Sequence, residues 1–268
     1  MQFKKILIAG FGTMTGAMVD GWMAAGYPVS TFEVYHPSKT HVDHGLTIHN
    51  DWPQTGFDAV LLGVKPHMLD EVAGGLEPLT ATGATVLSVL AGIELSSLRD
   101  RFPHAAGVVR FMPNLAVALR KSPNALIAEG LDDDRRTAVT RLAADIGTAE
   151  WLEDESKFDL VTALAGSGPG FVYRFIDALA AGAAKLGLDE TQSVRLATVM
   201  VDGAAALASA SDDGPGDLAQ RVASPGGMTQ KGLDVLDADD ALRNLLTECL
   251  RAARDRGLEM AELGRKQS

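Results

Sequence analysis

Between Lys5 and about Ala149, short runs rich in β-branched and other apolar residues alternate with stretches of helical character, and this alternation limits the fold more than any other feature. The candidate strands are Ile6-Ala9, Val29-Val34, Ala59-Val64, Thr85-Leu90 and Val108-Met112. They are apolar at consecutive positions, as in Ala59-Val60-Leu61-Leu62, which is the pattern of strands covered on both faces. Such strands, separated by helices, predict a parallel sheet, and right-handed crossovers make it doubly wound. Ala125-Ala128 and the stretch around Trp151-Leu152 extend it, bracketing a helix that Asp132-Asp133-Asp134 would start.

After about Glu155 the texture changes to alanine-rich segments with helical spacing, so a boundary is expected between domains 1–155 and 156–268. Helices are predicted at Phe171-Leu186, Glu190-Ala210, Thr229-Leu236 and Ala241-Leu263. They are separated by Gly187, by Ser211-Asp212-Asp213-Gly214-Pro215-Gly216 and by Asp237-Ala238-Asp239. Alanines such as Ala181, Ala184, Ala204 and Ala208 allow close helix packing but bury little per residue, so this half is expected to form a homodimer. The chain of 268 residues carries 24 Lys and Arg against 35 Asp and Glu, a net charge of -11, which argues against nucleic acid as a partner. No unbroken apolar run approaches the ~18 residues of a membrane span, and Met1-Gln2-Phe3-Lys4-Lys5 leads straight into a strand. A cytoplasmic protein without a membrane partner is therefore expected. The single cysteine, Cys249, has no intrachain partner for a disulfide.

Ile6-Leu7-Ile8-Ala9 runs into Gly10-Phe11-Gly12-Thr13-Met14 and then into a helical segment, placing a glycine turn between the first strand and first helix. This is where a Rossmann-type domain binds a dinucleotide: Gly10 makes the turn, Gly12 lets backbone approach the pyrophosphate, and the helix start offers free N–H groups. The third glycine of the fingerprint is replaced by Thr15, with Gly16 displaced by one position. The second strand ends in His36-Pro37-Ser38-Lys39, without the acidic residue that holds an unmodified ribose; His36, Ser38 and Lys39 suit a 2′-phosphate, which favours NADP over NAD. His41, His44 and His49, with Asp43 and Asp51, lie close in sequence but not at the spacing of a helical metal site, so no metal is expected. Val64-Lys65-Pro66 and Ala91-Gly92 follow strands at the end where the crevice of such a sheet opens, beside the nicotinamide half.

Ser224-Pro225-Gly226-Gly227 precedes the predicted helix Thr229-Leu236, and its glycines expose several backbone N–H groups together. This is an anion cradle suited to a compact carboxylate, with the Thr229 hydroxyl as a further donor; the alternative is an ordinary interhelical loop.

Taken in order, Gly10-Phe11-Gly12-Thr13-Met14, Val64-Lys65-Pro66, Arg110-Phe111-Met112-Pro113-Asn114, Thr162-Ala163-Leu164-Ala165-Gly166-Ser167-Gly168-Pro169 and Ser224-Pro225-Gly226-Gly227-Met228-Thr229 resemble the pyrroline-5-carboxylate reductase family of proline biosynthesis. The last segment is the most specific. The resemblance implies hydride transfer from NADPH or NADH to the imine carbon of 1-pyrroline-5-carboxylate, giving proline. It implies that Thr229 lies near the imine nitrogen, that the Ser224-Met228 loop holds the carboxylate largely through backbone groups, and that Asn50 lies at the adenosine side. It also implies dimers that assemble into a ring.

Three departures stand out. Leu115-Ala116 replace the family's Thr-Pro after Met112-Pro113-Asn114, Ala165 replaces its Ser, and Gly170-Phe171 replace its Ala-Tyr. They leave open a related cyclic imine as substrate, or a module that senses NADP without turnover. A β-hydroxyacid dehydrogenase is disfavoured, because Lys185 comes 17 positions after Gly168 and no asparagine follows it.

Overall fold

The computed structural model describes residues 2–54 and 56–266. Its contacts divide the chain into two compact units, Met1–Ser167 together with Ala252–Ser268, and Gly168–Arg251.

The first unit is built on one sheet of eight strands among the described residues. These are β1 (Ile6–Ala9), β2 (Phe32–Tyr35), β3 (Thr47–His49), β4 (Ala59–Leu62), β5 (Thr85–Ser88), β6 (Gly107–Met112), β7 (Ser122–Glu129) and β8 (Gly147–Trp151). Their spatial order is β3-β2-β1-β4-β5-β6-β7-β8. All neighbours are parallel except β6 and β7. That reversal corrects the expectation of a wholly parallel sheet. Residues 113–121 between the two strands are too few for a crossover helix; they form a 3-10 turn, Leu115–Leu119, and Arg120 turns the chain back at φ 58°.

Consecutive strand residues feed opposite faces. Ile6 and Ile8 join Leu61, Leu87 and Phe111 under α1 (Thr13–Ala24) and α4 (Asp133–Ala144). Leu7 and Ala9 join Val60, Leu62 and Val86 under α2 (Leu69–Ala81) and α3 (Leu95–Arg101). Doubly covered strands have no polar face, which is why the apolar runs show no alternation. Trp22 of α1 is fully buried, stacks on Phe32 with ring centroids 5.1 Å apart, and donates its indole N–H to Leu142 O at 2.8 Å, tying α1 to α4. Asp132 caps α4 as expected, its side chain accepting from Arg135 N at 2.7 Å.

Two edge features depart from the sequence reading. Residues Val29–Thr31 form a 3-10 turn, held by Thr31 N donating to Pro28 O, so β2 starts later than Val29. β3 was not expected, since only three residues pair and only with β2. Beside it, Glu33 of β2 is bonded to Lys5 Nζ at 2.8 Å and to His49 Nε2 at 2.6 Å. His44 meets Asp20 at 2.5 Å, so these two histidines are engaged with separate carboxylates.

Past β8, α5 (Phe158–Val161) runs into a π-helical turn at Thr162–Gly166. The second unit contains α6 (Gly168–Lys185), α7 (Glu190–Ala210), α8 (Pro215–Val222), α9 (Met228–Asp237) and the start of α10 (Ala241–Lys266). Gly187, at φ 111°, ends α6: its N–H donates to Ala184 O and Leu188 N–H to Ala183 O, after which Asp189 caps α7. α8 was missed in the sequence, although Gly214-Pro215 puts proline at the first helical position, where its lost N–H costs nothing. α7 is also long and apolar enough, by length and composition, to cross a membrane, which corrects the expectation drawn from unbroken runs. Alanine and valine carry its average even though Arg195 and Asp202 interrupt every apolar run.

Burial pushes the Glu33 carboxyl up, but hydrogen bonds and charge from Lys5 and His49 outweigh it and leave the group below its ordinary pKa. Its contribution to stability is therefore complete above the ordinary carboxylate range and disappears as pH falls through the lowered value. Glu33→Gln is expected to lower unfolding free energy by about 1 kcal/mol at pH 7. The deficit should shrink as pH falls below the ordinary carboxylate range and close once pH is below the lowered Glu33 value, as read by urea titrations of both proteins across a descending pH series.

Candidate active site

The sheet reverses direction of winding at β1: the chain leaves it for β2 and β3 on one side, then crosses to β4 on the other. Ligands bind at such a switch point, outside the carboxyl ends of the strands. Backbone ladders reach right to this edge, with Gly10 N donating to Tyr35 O at 3.0 Å and Gly63 N to Ala9 O at 2.9 Å.

Gly10 and Gly12 are glycines for different reasons. Gly10 has φ 87°, and a Cβ there would lie 2.8 Å from Val64 Cγ1, so the fold itself requires it. Gly12 has an ordinary φ of -117°, and no heavy atom lies within 4 Å of where its Cβ would sit. The fold makes no demand at Gly12; the open space is on the approach to the start of α1. Gly12 is the N-cap of α1 and offers no capping side chain, so the amides of Thr13, Met14 and Thr15 have no partner within the helix. Their N–H groups and the positive end of the helix suit a diphosphate.

Gly10, Phe11 and Gly12 line a cavity of about 460 Å³ with His36, Val64 and Lys65, a volume within the range of small-molecule sites. Tyr35, Trp52, Met68, Glu71 and Val72 also line it and are not marked by the sequence pattern. Tyr35 stacks on Trp52 with centroids 3.3 Å apart. Gly75 of α2 admits the indole, since a Cβ there would lie 2.2 Å from Trp52 Nε1. The last residue of β2 and the Trp-Pro pair after β3 were the available signals.

The segment after β2 folds around His36. Its Nδ1 accepts from Ser38 N at 3.3 Å and Lys39 N at 3.1 Å, while Asn50 Nδ2 donates to His36 O at 2.8 Å and Lys39 O at 3.0 Å. Burial, and then the charge of Lys39, push the His36 pKa down, which matches an imidazole whose Nδ1 is an acceptor. Lys39 Nζ donates to Phe11 O at 2.8 Å, so its ammonium sits over the glycine turn. Ser38 is exposed.

Pro66 and Ala91 border a separate hollow of about 260 Å³ that Ile93, Arg101, Met260 and Leu263 also line. Gly92 is buried, with φ 73°, and a Cβ there would stand 2.8 Å from Met260 Cβ. Its backbone thus lets the C-terminal part of α10 approach the end of β5.

At the end of β6, Asn114 is 6% exposed and fully engaged. Its N–H donates to Ser122 Oγ, its Oδ1 accepts from Ala116 N, and its Nδ2 donates to Ala165 O at 2.8 Å, inside the π-helical turn. Leu115 next to it is 52% exposed. Arg110, 2% exposed, pairs with Glu155 at 2.8 Å and lies 3.9 Å over the Phe158 ring, which anchors the chain entering that turn.

In the second unit, Ser224 to Gly227 form a tight turn in which Gly227 N donates to Ser224 O at 2.8 Å and Gly226 takes φ 72°. Gly227 is the N-cap of α9, without a side-chain cap. The amides of Met228, Thr229 and Gln230 therefore begin the helix without intrahelical acceptors. Pro225, Gly226, Met228 and Thr229 are exposed, so the cradle's donors are open within this unit.

Residues 155–260 match the pyrroline-5-carboxylate reductase dimerisation family. The whole chain resembles pyrroline-5-carboxylate reductase of Pseudomonas aeruginosa, at 30% identity over 98% of both chains. Among solved structures, a pyrroline-5-carboxylate reductase from Coxiella burnetii superimposes with TM-score 0.90 at 29% identity, over 96% of this chain and 98% of that one. A pyrroline carboxylate reductase of Plasmodium falciparum, solved with NADP bound, shares the fold with TM-score 0.83 at 23% identity, over 97% of this chain and 99% of that one. With 30% identity across 98% of both chains and a fold shared with solved members, the chain belongs to the pyrroline-5-carboxylate reductase family.

Proposed function

We propose that this chain reduces 1-pyrroline-5-carboxylate to proline with NAD(P)H. The observation that carries the reading is Gly12: a glycine that neither backbone conformation nor packing requires, at the mouth of a helix with three free amides. When bound, the dihydronicotinamide supplies a hydride to the imine carbon. The imine nitrogen is already protonated in the reactive form, so the protein's part is to bind, orient and exclude water.

Gly10 to Met14 take the diphosphate, with Val64 and Lys65 toward the nicotinamide side; Pro66 and Ala91 border the neighbouring hollow and Gly92 packs under α10, so these three are not assigned a cofactor contact. His36, Ser38 and Lys39 give the 2′-phosphate two hydrogen-bond donors and one charge, which favours NADP over NAD, and Asn50 holds their loop in shape. On the substrate, the Ser224-Pro225-Gly226-Gly227-Met228 turn holds the carboxylate, and Thr229 Oγ1 hydrogen-bonds at the ring nitrogen. The same reading includes a cytoplasmic location and homodimers arranged in a ring.

The purified protein is mixed with 1-pyrroline-5-carboxylate and NADPH or NADH, and loss of nicotinamide absorbance is followed. Turnover with a higher kcat/KM for NADPH is expected, and Thr229→Ala should lower kcat/KM by about ten- to a hundredfold, the worth of one hydrogen bond in the transition state. Absence of turnover with both cofactors, in protein that binds NADPH, would overturn the reductase reading in favour of another imine or a sensor.

Gly12→Ala gives a second test. A Cβ there meets nothing in the fold, so unfolding free energy should change by less than about 1 kcal/mol. NADPH affinity, read by fluorescence titration, should nonetheless fall by about tenfold or more, because the methyl group occupies the approach to the helix amides.

A further inference from the structure

Thr15 stands where the dinucleotide fingerprint has its third glycine, and it is 1% exposed. Its Oγ1 accepts from Gly12 N at 3.0 Å and lies 3.3 Å from Gly12 O and 3.4 Å from Gly10 O, either of which takes its proton. The hydroxyl thus bridges both glycines of the turn from beneath. Its methyl group faces Gly63 after β4, where a Cβ would lie 2.4 Å from Thr15 Cγ2. The close helix-to-strand approach that a helix glycine would allow is here permitted by a glycine on the strand side.

We propose that Thr15 is a positioning residue for the cofactor: by accepting from the Gly12 amide and donating its one proton to a glycine carbonyl of the turn, its hydroxyl holds the turn in the shape that leaves the Thr13 and Met14 amides for the diphosphate. This rests on the dinucleotide reading of the turn. Half of a capping box is present, from Thr15 back to Gly12. The other half is missing because glycine has no side chain to claim an amide at the helix start. A ligand completes it. The preorganised turn binds without first losing conformational freedom, and the gain is common to NADPH and NADH because both carry the same diphosphate.

The test compares Thr15→Val, which keeps the methyl packing on Gly63 and deletes the hydroxyl, with Thr15→Ser, which keeps the hydroxyl. The dissociation constants of NADPH and NADH are measured by fluorescence titration, and KM for the imine at saturating cofactor. Thr15→Val should weaken both cofactors by the same factor, about three- to tenfold for one lost hydrogen bond. KM for the imine should not change, and Thr15→Ser should bind within twofold of the parent. If Thr15→Val fails to fold, Thr15→Ala, which adds no apolar atoms, is read in its place with the same expectation. Binding of both cofactors unchanged in the folded variant overturns the proposal, as does a loss confined to NADPH or a Thr15→Ser variant as weak as Thr15→Val. A parent protein that binds neither cofactor would instead overturn the dinucleotide reading itself.

Discussion

The close approach of two backbones at the carboxyl ends of β1 and β4 is the constraint on which the rest of the first unit depends. Gly10 leaves its strand at a positive φ and passes Val64 with no room for a side chain, while Gly63 makes room for Thr15. The winding reverses at β1, and because it does, α1 and the loop after β2 open around one cavity at the ends of these strands. Any bulk at Gly10 or Gly63 would push β4 away from β1 and widen the turn. The cavity at the glycine turn is thus a consequence of strand packing, with Gly12 left free of packing demands.

An acidic protein with net charge -11 is proposed to bind a polyanionic dinucleotide, and the geometry explains how the two are compatible. At physiological salt, charges further than about 8 Å from the ligand are largely screened. What acts on a diphosphate is the short-range field of amides at the start of α1 and the Lys39 ammonium over Phe11 O. The same device recurs at the start of α9, where the turn before Met228 offers amides and no capping side chain. Both helix starts offer anions backbone N–H dipoles, which do not titrate in the physiological range.

Much of this was legible in the sequence because it lies in local patterns. Double-sided burial shows in the consecutive apolar residues of Ala59-Val60-Leu61-Leu62, and α7 was bounded at Glu190 and Ala210 because Asp189 caps it and Ser211 follows. The glycine spacing around Gly10 and Gly226 marked both turns. Features made by pairing across the fold were not legible. β3 is three residues held by one neighbour, and the antiparallel pairing of β7 is visible only in the shortness of residues 113–121. The stack of Tyr35 on Trp52 needs α2 to bring Gly75 alongside, and the reach of Lys39 to Phe11 O depends on how Asn50 shapes the intervening loop. Residue type predicted which chemistry was available, but direction came from tertiary contacts.

α7 shows why composition alone misreads this second unit. Small apolar residues give it the average of a membrane helix, and Leu196, Val199, Met200 and Leu207 are at least half exposed on it. In a bilayer Arg195 and Asp202 would each have to be desolvated without a partner from a neighbouring span, at a cost of about 2.5–3.5 kcal/mol each on insertion scales. In water, the same exposed residues are a loss that a second protein surface recovers, since alanines permit close helix approach and the larger side chains between them supply the buried area. The family match over residues 155–260 is to a dimerisation domain. An alanine-rich helix hairpin that stays apolar outside its own unit is what such a domain requires: its core is completed between copies, and its few bulky residues therefore face outward in the single chain.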